Sequence, residues 1–326
     1  MRGVDLDLFD FDYDLTWMGF FLDADGTILG RYGGRDAESA ESRVSLKGLR
    51  YALEAALERH RQARLRCTQT GEGEEKEKQP RTVEQFPAAR RLPERACIHC
   101  HQVYDLRRES LQAKGKWRLD DLWVYPLPEN IGLTLECDRG DFVSRVAADS
   151  PAHRIGVRAG DRLREVNGES ISSFADLQYV LHRAPAKGTL ALSWLHGEKT
   201  RKEELTLAEG WKKTDLSWRW SLRGVDPPPW VRGDDLTDTE KKKLGLGPRQ
   251  LAFRQGPFVS EPARQAGIRQ NDIVVGVDGK KLELSERQFG AYIRLNYRVG
   301  DRVTYNILRE GKQVDAPLLL RGRSAP

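Results

Sequence analysis

The chain has 326 residues, 39% of them hydrophobic and 32% charged, with 54 basic against 49 acidic side chains and a formal charge of +5. That length accommodates two or three domains, and so thin a basic excess gives no ground for nucleic-acid binding. No apolar run approaches the roughly 18 residues that span a bilayer, and the four cysteines show no disulfide framework.

Asp5, Asp7, Asp10, Asp12 and Asp14 place carboxylates at near-alternate positions. An EF-hand calcium loop would continue with Gly and then Glu, where Leu15 and Phe21 stand, so the series reads as an edge strand with a charged face. Residues 15–22 are an apolar run rich in aromatics. Asp23-Ala24-Asp25-Gly26 is a turn signal, and residues 27–32 return as the second strand of a hairpin. Leu46, Leu49, Leu53, Ala56 and Leu57 then recur at helical spacing over residues 46–60. This stretch, TWMGFFLDADGTILGRYGG followed by a helix, resembles the C-terminal half of a thioredoxin-like domain. The resemblance implies a truncated α/β fragment over residues 1–62. That family's dithiol lies upstream of this half, so no redox residue is carried over.

Residues 63–96 mix both signs of charge and read as a disordered linker. Cys97-Ile98-His99-Cys100-His101 opens the segment 97–128 and admits three readings. The spacing fits covalent haem c, with Cys97 and Cys100 on the vinyl groups and His101 on the iron. His153, His182 or His196 would then supply the distal ligand. It also fits a redox dithiol whose thiolate is favoured by His99 and His101. Structural zinc comes last, since no second Cys/His pair sits at suitable spacing. Residues 117–125 are apolar enough to dock on a neighbour.

An internal repeat dominates the remainder. SPAHRIGVRAGDRLREVNGESI (150–171) aligns without gaps to EPARQAGIRQNDIVVGVDGKKL (261–282). Pro151 starts a short helix and Gly156 ends it, while Asn167-Gly168 and Asp278-Gly279 suit tight hairpin turns. Both blocks resemble PDZ domains of the bacterial, protease-associated type, over residues 129–210 and 248–321. The predicted fold class is therefore α+β multidomain: a truncated thioredoxin-like fragment followed by two PDZ-like β-barrel or sandwich domains.

The resemblance implies that an extended peptide or a protein C-terminus adds to an open strand edge, its carboxylate taken by backbone amides of the preceding loop. In the first copy Ile131, Gly132, Leu133, Thr134 and Leu135 match that loop and strand, and Leu177 and Leu181 match the groove helix. In the second, Leu251, Ala252 and Phe253 are matched to the loop. They lack the glycine, so weaker binding is expected there. Between the copies lies a connector (211–247) with Trp211, Trp218, Trp220 and Trp230, half of the eight tryptophans. These aromatics are expected to bolt the two repeats together. Thr237 and Glu240 form a capping box.

The order of parts resembles a bacterial family of thioredoxin-and-PDZ proteins, some of them selenoproteins. No catalytic constellation is evident, and no G-x-S-x-G occurs, so enzymatic activity is not expected. The expected function is peptide or protein binding. The alternative is an electron-transfer or thiol–disulfide protein localised by its PDZ units. Haem c and stable disulfides belong outside the cytoplasm. A periplasmic or otherwise extracytoplasmic location is expected, with an export signal upstream of Met1; the alternative is cytoplasmic.

Overall fold

In a computed structural model, residues 1–65, 81–93 and 95–323 are described. The chain divides into two units, Met1–Thr214 and Asp215–Pro326.

The first unit contains the expected hairpin, Met18–Leu22 against Ile28–Gly33. The Asp23 carboxylate closes its turn by accepting the amides of Asp25 and Thr27 at 3.0 and 2.8 Å. The helix that follows spans Leu46–Leu65. Its buried face is not the leucine stripe. Leu46, Leu53 and Leu57 are 86%, 44% and 48% exposed, whereas Ala52 and Ala56 are buried, as is Gly48. Small residues let the helix backbone approach the hairpin closely, and Arg59 donates to the Leu29 carbonyl across that contact at 2.6 Å.

The aspartate series is a run of turns rather than an edge strand. Asp12 and Asp14 are buried, together with Leu6 and Tyr13. Asp5 and Asp12 each accept nearby backbone amides, so these carboxylates order turns instead of facing solvent. Leu6 and Tyr13 share a small core with Val83, Phe86, Ala89, Ile98, Val103 and Leu106. The expected linker is therefore structured over part of its length. Val83, Phe86 and Ala89 recur every three residues, the 3₁₀ period, and lie in or beside the 3₁₀ turns Val83–Gln85 and Pro87–Arg91. The most charged part of that linker, residues 66–80, lies outside the described residues.

The larger core of this unit runs from Ile131 to Leu207 around the buried Trp194. Leu133–Leu135 pairs with Val143–Val146. A four-stranded sheet follows the order Glu169–Ser170, Arg162–Val166, Gly188–His196, Lys199–Leu207. The turn at Asn167-Gly168 has φ of 49° and 79°, the left-handed pair that a two-residue hairpin requires. Ser173 caps the helix Phe174–Arg183, which buries Leu177, Val180 and Leu181 in this core.

In the second unit the strands run Lys312–Leu319, Arg302–Arg309, Ile273–Val277, Phe253–Gln255, Gly233–Asp235 across the sheet. The helix Glu286–Asn296, capped by Ser285, inserts Phe289 and Ile293 into the core. The connector of the sequence analysis is mostly absorbed here. It supplies the edge strand Gly233–Asp235 and the short helix Asp238–Lys243 with the expected Thr237/Glu240 capping box. Of the four tryptophans, Trp211 and Trp230 have hydrogen-bond partners in their own units: Trp211 donates to Pro185 O in the first, and Trp230 to Arg321 O in the second.

Candidate functional site

The two repeats can be matched by their backbone bonds. Val143 donates to Asp161 O and accepts from Gly160 N; Gln255 donates to Asp272 O and accepts from Asn271 N. Val143 thus corresponds to Gln255. Their partners across the sheet are Leu135 and Gly233, so Gly233–Asp235 is the second unit's groove strand. The loop before it contains Pro229, Trp230 and Val231.

That match relocates the second loop. Leu251, Ala252 and Phe253 are fully buried, and Phe253 has a strand neighbour on each side, Asp235 and Val274. They hold the sheet together and present no open edge. The helix Asp238–Lys243 is inserted between groove strand and inner strand, so a gapless extension of the repeat arrives at the wrong segment. A usable signal was the proline-led pair PLPENIG and PPPWVRG, each standing before a short strand.

Both loops turn on one left-handed residue. In the first it is Gly132, φ 91°, where an added Cβ would stand 2.0 Å from Ser150 Oγ. In the second it is Trp230, φ 62°, whose carbonyl accepts from Ser260 Oγ at 2.6 Å. Ser150 and Ser260 are the N-caps of the matching short helices. In the first loop Gly132 N–H is engaged within the loop, donating to Glu129 O at 3.0 Å. In the second, Pro227, Pro228 and Pro229 contribute no N–H at all.

Leu177 and Leu181, and their counterparts Phe289 and Ile293, face the cores. Counting from the two serine caps, the adjacent face carries Phe174, Gln178 and His182 in the first unit and Glu286, Gly290 and Arg294 in the second. This face is one that the sequence reading missed, and it differs at every position.

In the first unit the face is covered by the chain itself. Gly34 lies so close that a Cβ there would fall 2.5 Å from Phe174 Cδ1. The Arg43 guanidinium sits 5.0 Å from the Phe174 ring centre and pairs with Glu129 beside the loop at 2.8 Å. Gln178 donates to Tyr125 O at 2.9 Å, and the Tyr125 ring stacks on His182 at 4.0 Å. Of the stretch 117–125, expected to dock on a neighbour, Tyr125 is the residue that lands on this helix. On its flank Asp176 accepts Arg31 N–H at 2.9 Å, Ser173 donates to Arg31 O, and the Arg31 guanidinium lies 3.6 Å over Tyr179. Leu133 and Leu135 remain in the groove strand, both buried.

In the second unit a cleft of about 320 Å³ opens along Glu286, Gly290 and Arg294, with Pro229, Val231 and Arg232 opposite. Ser217, Arg219, Leu222 and Arg223 form its third wall. Gly290 leaves the middle open. Burial, reinforced by the nearby Arg323, pushes the Arg294 guanidinium down to about 10. Burial likewise lowers Arg223, with Arg232 adding to the effect.

The thiol motif lies elsewhere in the first unit. Cys97 is exposed and Cys100 half-buried, both as free thiols. His101 precedes the helix Gln102–Ala113, and its ring stacks with that of His99 at 5.8 Å. Burial lowers the pKa of His101 despite Asp105 and Asp14 nearby. All three candidate distal histidines have other partners: His153 accepts from Asp149 N at 3.4 Å, His182 stacks with Tyr125, and His196 bonds to Asp161 at 2.7 Å. Among the described residues, no group of three His, Cys, Asp or Glu side chains could hold a metal ion. No described helix is long and apolar enough to cross a membrane.

PDZ domain family models match residues 142–194 and 257–320. The chain is 31% identical over 144 residues to the periplasmic pH-dependent serine endoprotease DegQ of Escherichia coli (strain K12), covering 44% of this chain and 29% of that protein. It is 28% identical over 179 residues to the Na(+)/H(+) exchange regulatory cofactor NHE-RF2 of Oryctolagus cuniculus, covering 44% and 55%. The chain therefore spans from 29% to 55% of the length of these curated relatives. A solved HtrA-type protease with a decapeptide is 22% identical over 29% of each chain, at a TM-score of 0.26.

Proposed function

We propose that these two PDZ domains make the chain a peptide-binding protein, that the second unit's groove is the working one, and that the first is held shut by residues 31–43 and 124–126. The observation that carries the reading is the contrast at the groove helices: an open cleft beside Gly290, against Gly34 and Arg43 packed on Phe174. Leu133, Thr134 and Leu135 serve as a peptide edge only when residues 31–43 leave. A C-terminal peptide library screened against the full chain tests this. Gly290→Phe should fill the cleft and abolish binding, because only Pro229 lies within 4 Å of a Cβ there. Undiminished binding by that variant would refute the assignment.

The extracytoplasmic location belongs to the same proposal and draws on relatives that are named periplasmic. Fractionation of native cells tests it. The likeness of the N-terminal hairpin and helix to a thioredoxin-like half remains a proposal about the fold.

A second reading concerns Cys97, Cys100 and His101. It is favoured by two accessible free thiols beside a pair of stacked imidazoles. The residues would serve as a dithiol or as a haem c attachment site, with His101 as the iron ligand. Expression with a haem-c maturation system decides between these. A Soret band that survives acid denaturation marks thioether attachment. A colourless protein whose thiols oxidise as a pair marks the dithiol.

A further inference from the structure

The charge of the second cleft names the chemistry of what enters it. Six arginines line it: Arg219, Arg223, Arg232, Arg287, Arg294 and Arg323. The single acid in the lining is Glu286, whose carboxylate already accepts Gly233 N–H on the strand edge. Just outside, Asp226 lies 4.0 Å from Arg323.

Several of these cations are held in place by the fold. Arg294 projects from the groove helix and is pinned by bonds from Nε to Leu222 O at 3.0 Å and from Nη1 to Gly290 O at 3.4 Å. Arg219 is 3% exposed. Arg223 lies 3.6 Å over the Trp220 ring. Gathering like charges in a half-desolvated cleft costs folding energy, and that cost is relieved when an anion enters. Guanidinium groups also match a carboxylate in a bidentate geometry.

The loop supplies the complementary argument. Where backbone amides would take a peptide's terminal carboxylate, this loop has three prolines and no N–H from them. Trp230 and Val231 keep their N–H groups, so the prolines thin out the loop's amide donors, and the arginines of the same lining add the charge.

We propose that the second cleft binds extended peptides with acidic C-termini, the terminal carboxylate and a neighbouring acidic side chain being held by Arg294, Arg219 and Arg323 where the prolines supply no amide. This rests on the second groove being the binding one.

Fluorescence polarisation on the full chain tests it with four labelled octapeptides: one with an acidic C-terminal end, its C-terminal amide, its Asn/Gln counterpart, and its lysine counterpart. Losing a charge-assisted contact should weaken binding about tenfold for the amide and several-fold for the neutral peptide. The lysine peptide should not bind. Raising salt from about 50 to about 300 mM should weaken the acidic peptide most. Arg323→Gln, at a partly exposed position, should lower affinity for the acidic peptide most, and by less for the neutral one, which keeps its terminal carboxylate. Arg294→Gln should do the same more strongly, provided its thermal unfolding matches the parent.

Equal affinity for acidic and neutral peptides, with Arg323→Gln silent, overturns the inference. If Gly290→Phe still blocks those peptides, the proposed function stands and only the acidic preference falls. Binding of the acidic peptide that survives Gly290→Phe, or no binding of any peptide, overturns both.

Discussion

At the start of its groove helix the first unit carries Phe174, and the second carries Glu286. One turn on, Gln178 stands opposite Gly290, and a further turn on, His182 opposite Arg294. Phe174 receives Gly34 and Arg43; Gln178 and His182 receive Tyr125. In the second unit Glu286 turns to its own strand edge, Gly290 leaves a gap and Arg294 charges the cleft. The core faces of the two helices are both apolar and fully buried or nearly so. Three positions on the neighbouring face thus separate a groove filled from within the chain from one open to a ligand, on a shared scaffold.

The largest expected effect tests that shared scaffold. Leu181→Ala and Ile293→Ala each remove a fully buried side chain from matching positions and should each cost about 2–5 kcal/mol in denaturant unfolding. A loss below about 1 kcal/mol in one of them would break the equivalence of the two helices.

Gly34→Val attacks the filled groove. Its φ of 137° and the 2.5 Å approach to Phe174 leave no room for a side chain. A cost of about 1–3 kcal/mol is expected, together with faster proteolysis near residues 31–43 and new peptide binding that Gly290→Phe does not block. Destabilisation without new binding would show that the first groove is a packing surface only.

The caps sharpen the comparison of loops. Ser150→Ala should cost about 1 kcal/mol, and Ser260→Ala more, about 1–2 kcal/mol, because Ser260 Oγ also holds Trp230 O across the left-handed turn. Equal losses by thermal unfolding would mean that the second loop does not depend on that bond.

The smallest effect is on pH dependence. Asp176 is buried, and that burial raises its pKa above the ordinary aspartate value, offset by Arg59 and Ser172. The folded state therefore binds this proton more tightly than the unfolded one. Its contribution to stability is fullest below the ordinary value and declines as pH rises through the raised one. Glu286, raised by burial, acts in the same direction. Asp176→Asn should flatten the slope of unfolding free energy from about pH 4 upward. An unchanged slope would assign the effect to Glu286 or to other groups.

Much of each PDZ unit was legible before folding, because its signals are local. The proline and glycine around residues 151–156 mark the ends of a short helix. Asn167-Gly168 and Asp278-Gly279 mark turns that need positive φ. Thr237 and Glu240 cap a helix. The spacing of Leu46, Leu53 and Leu57 marked the helix but not its buried face, since periodicity reports an amphipathic stripe and not which stripe meets a neighbour. The aspartates at 5–14 misled as well, their alternation suggesting a strand where the Asp5 and Asp12 carboxylates close turns and Asp10 reaches Tyr125.

The sequence alone determined the repeat, its turns, its caps and the tight charge balance of the chain. These depend on residues a few positions apart, whose conformational preferences need no partner. Tertiary structure alone decided which helix face borders the groove and whether that groove is filled, and it moved the second loop from where the repeat alignment had put it. Those outcomes rest on contacts between distant segments, Arg31 with Asp176 and Tyr125 with Gln178, and on an inserted helix that shifts the alignment. A register displaced by an insertion, and a surface covered by a remote segment, leave no mark on local propensity.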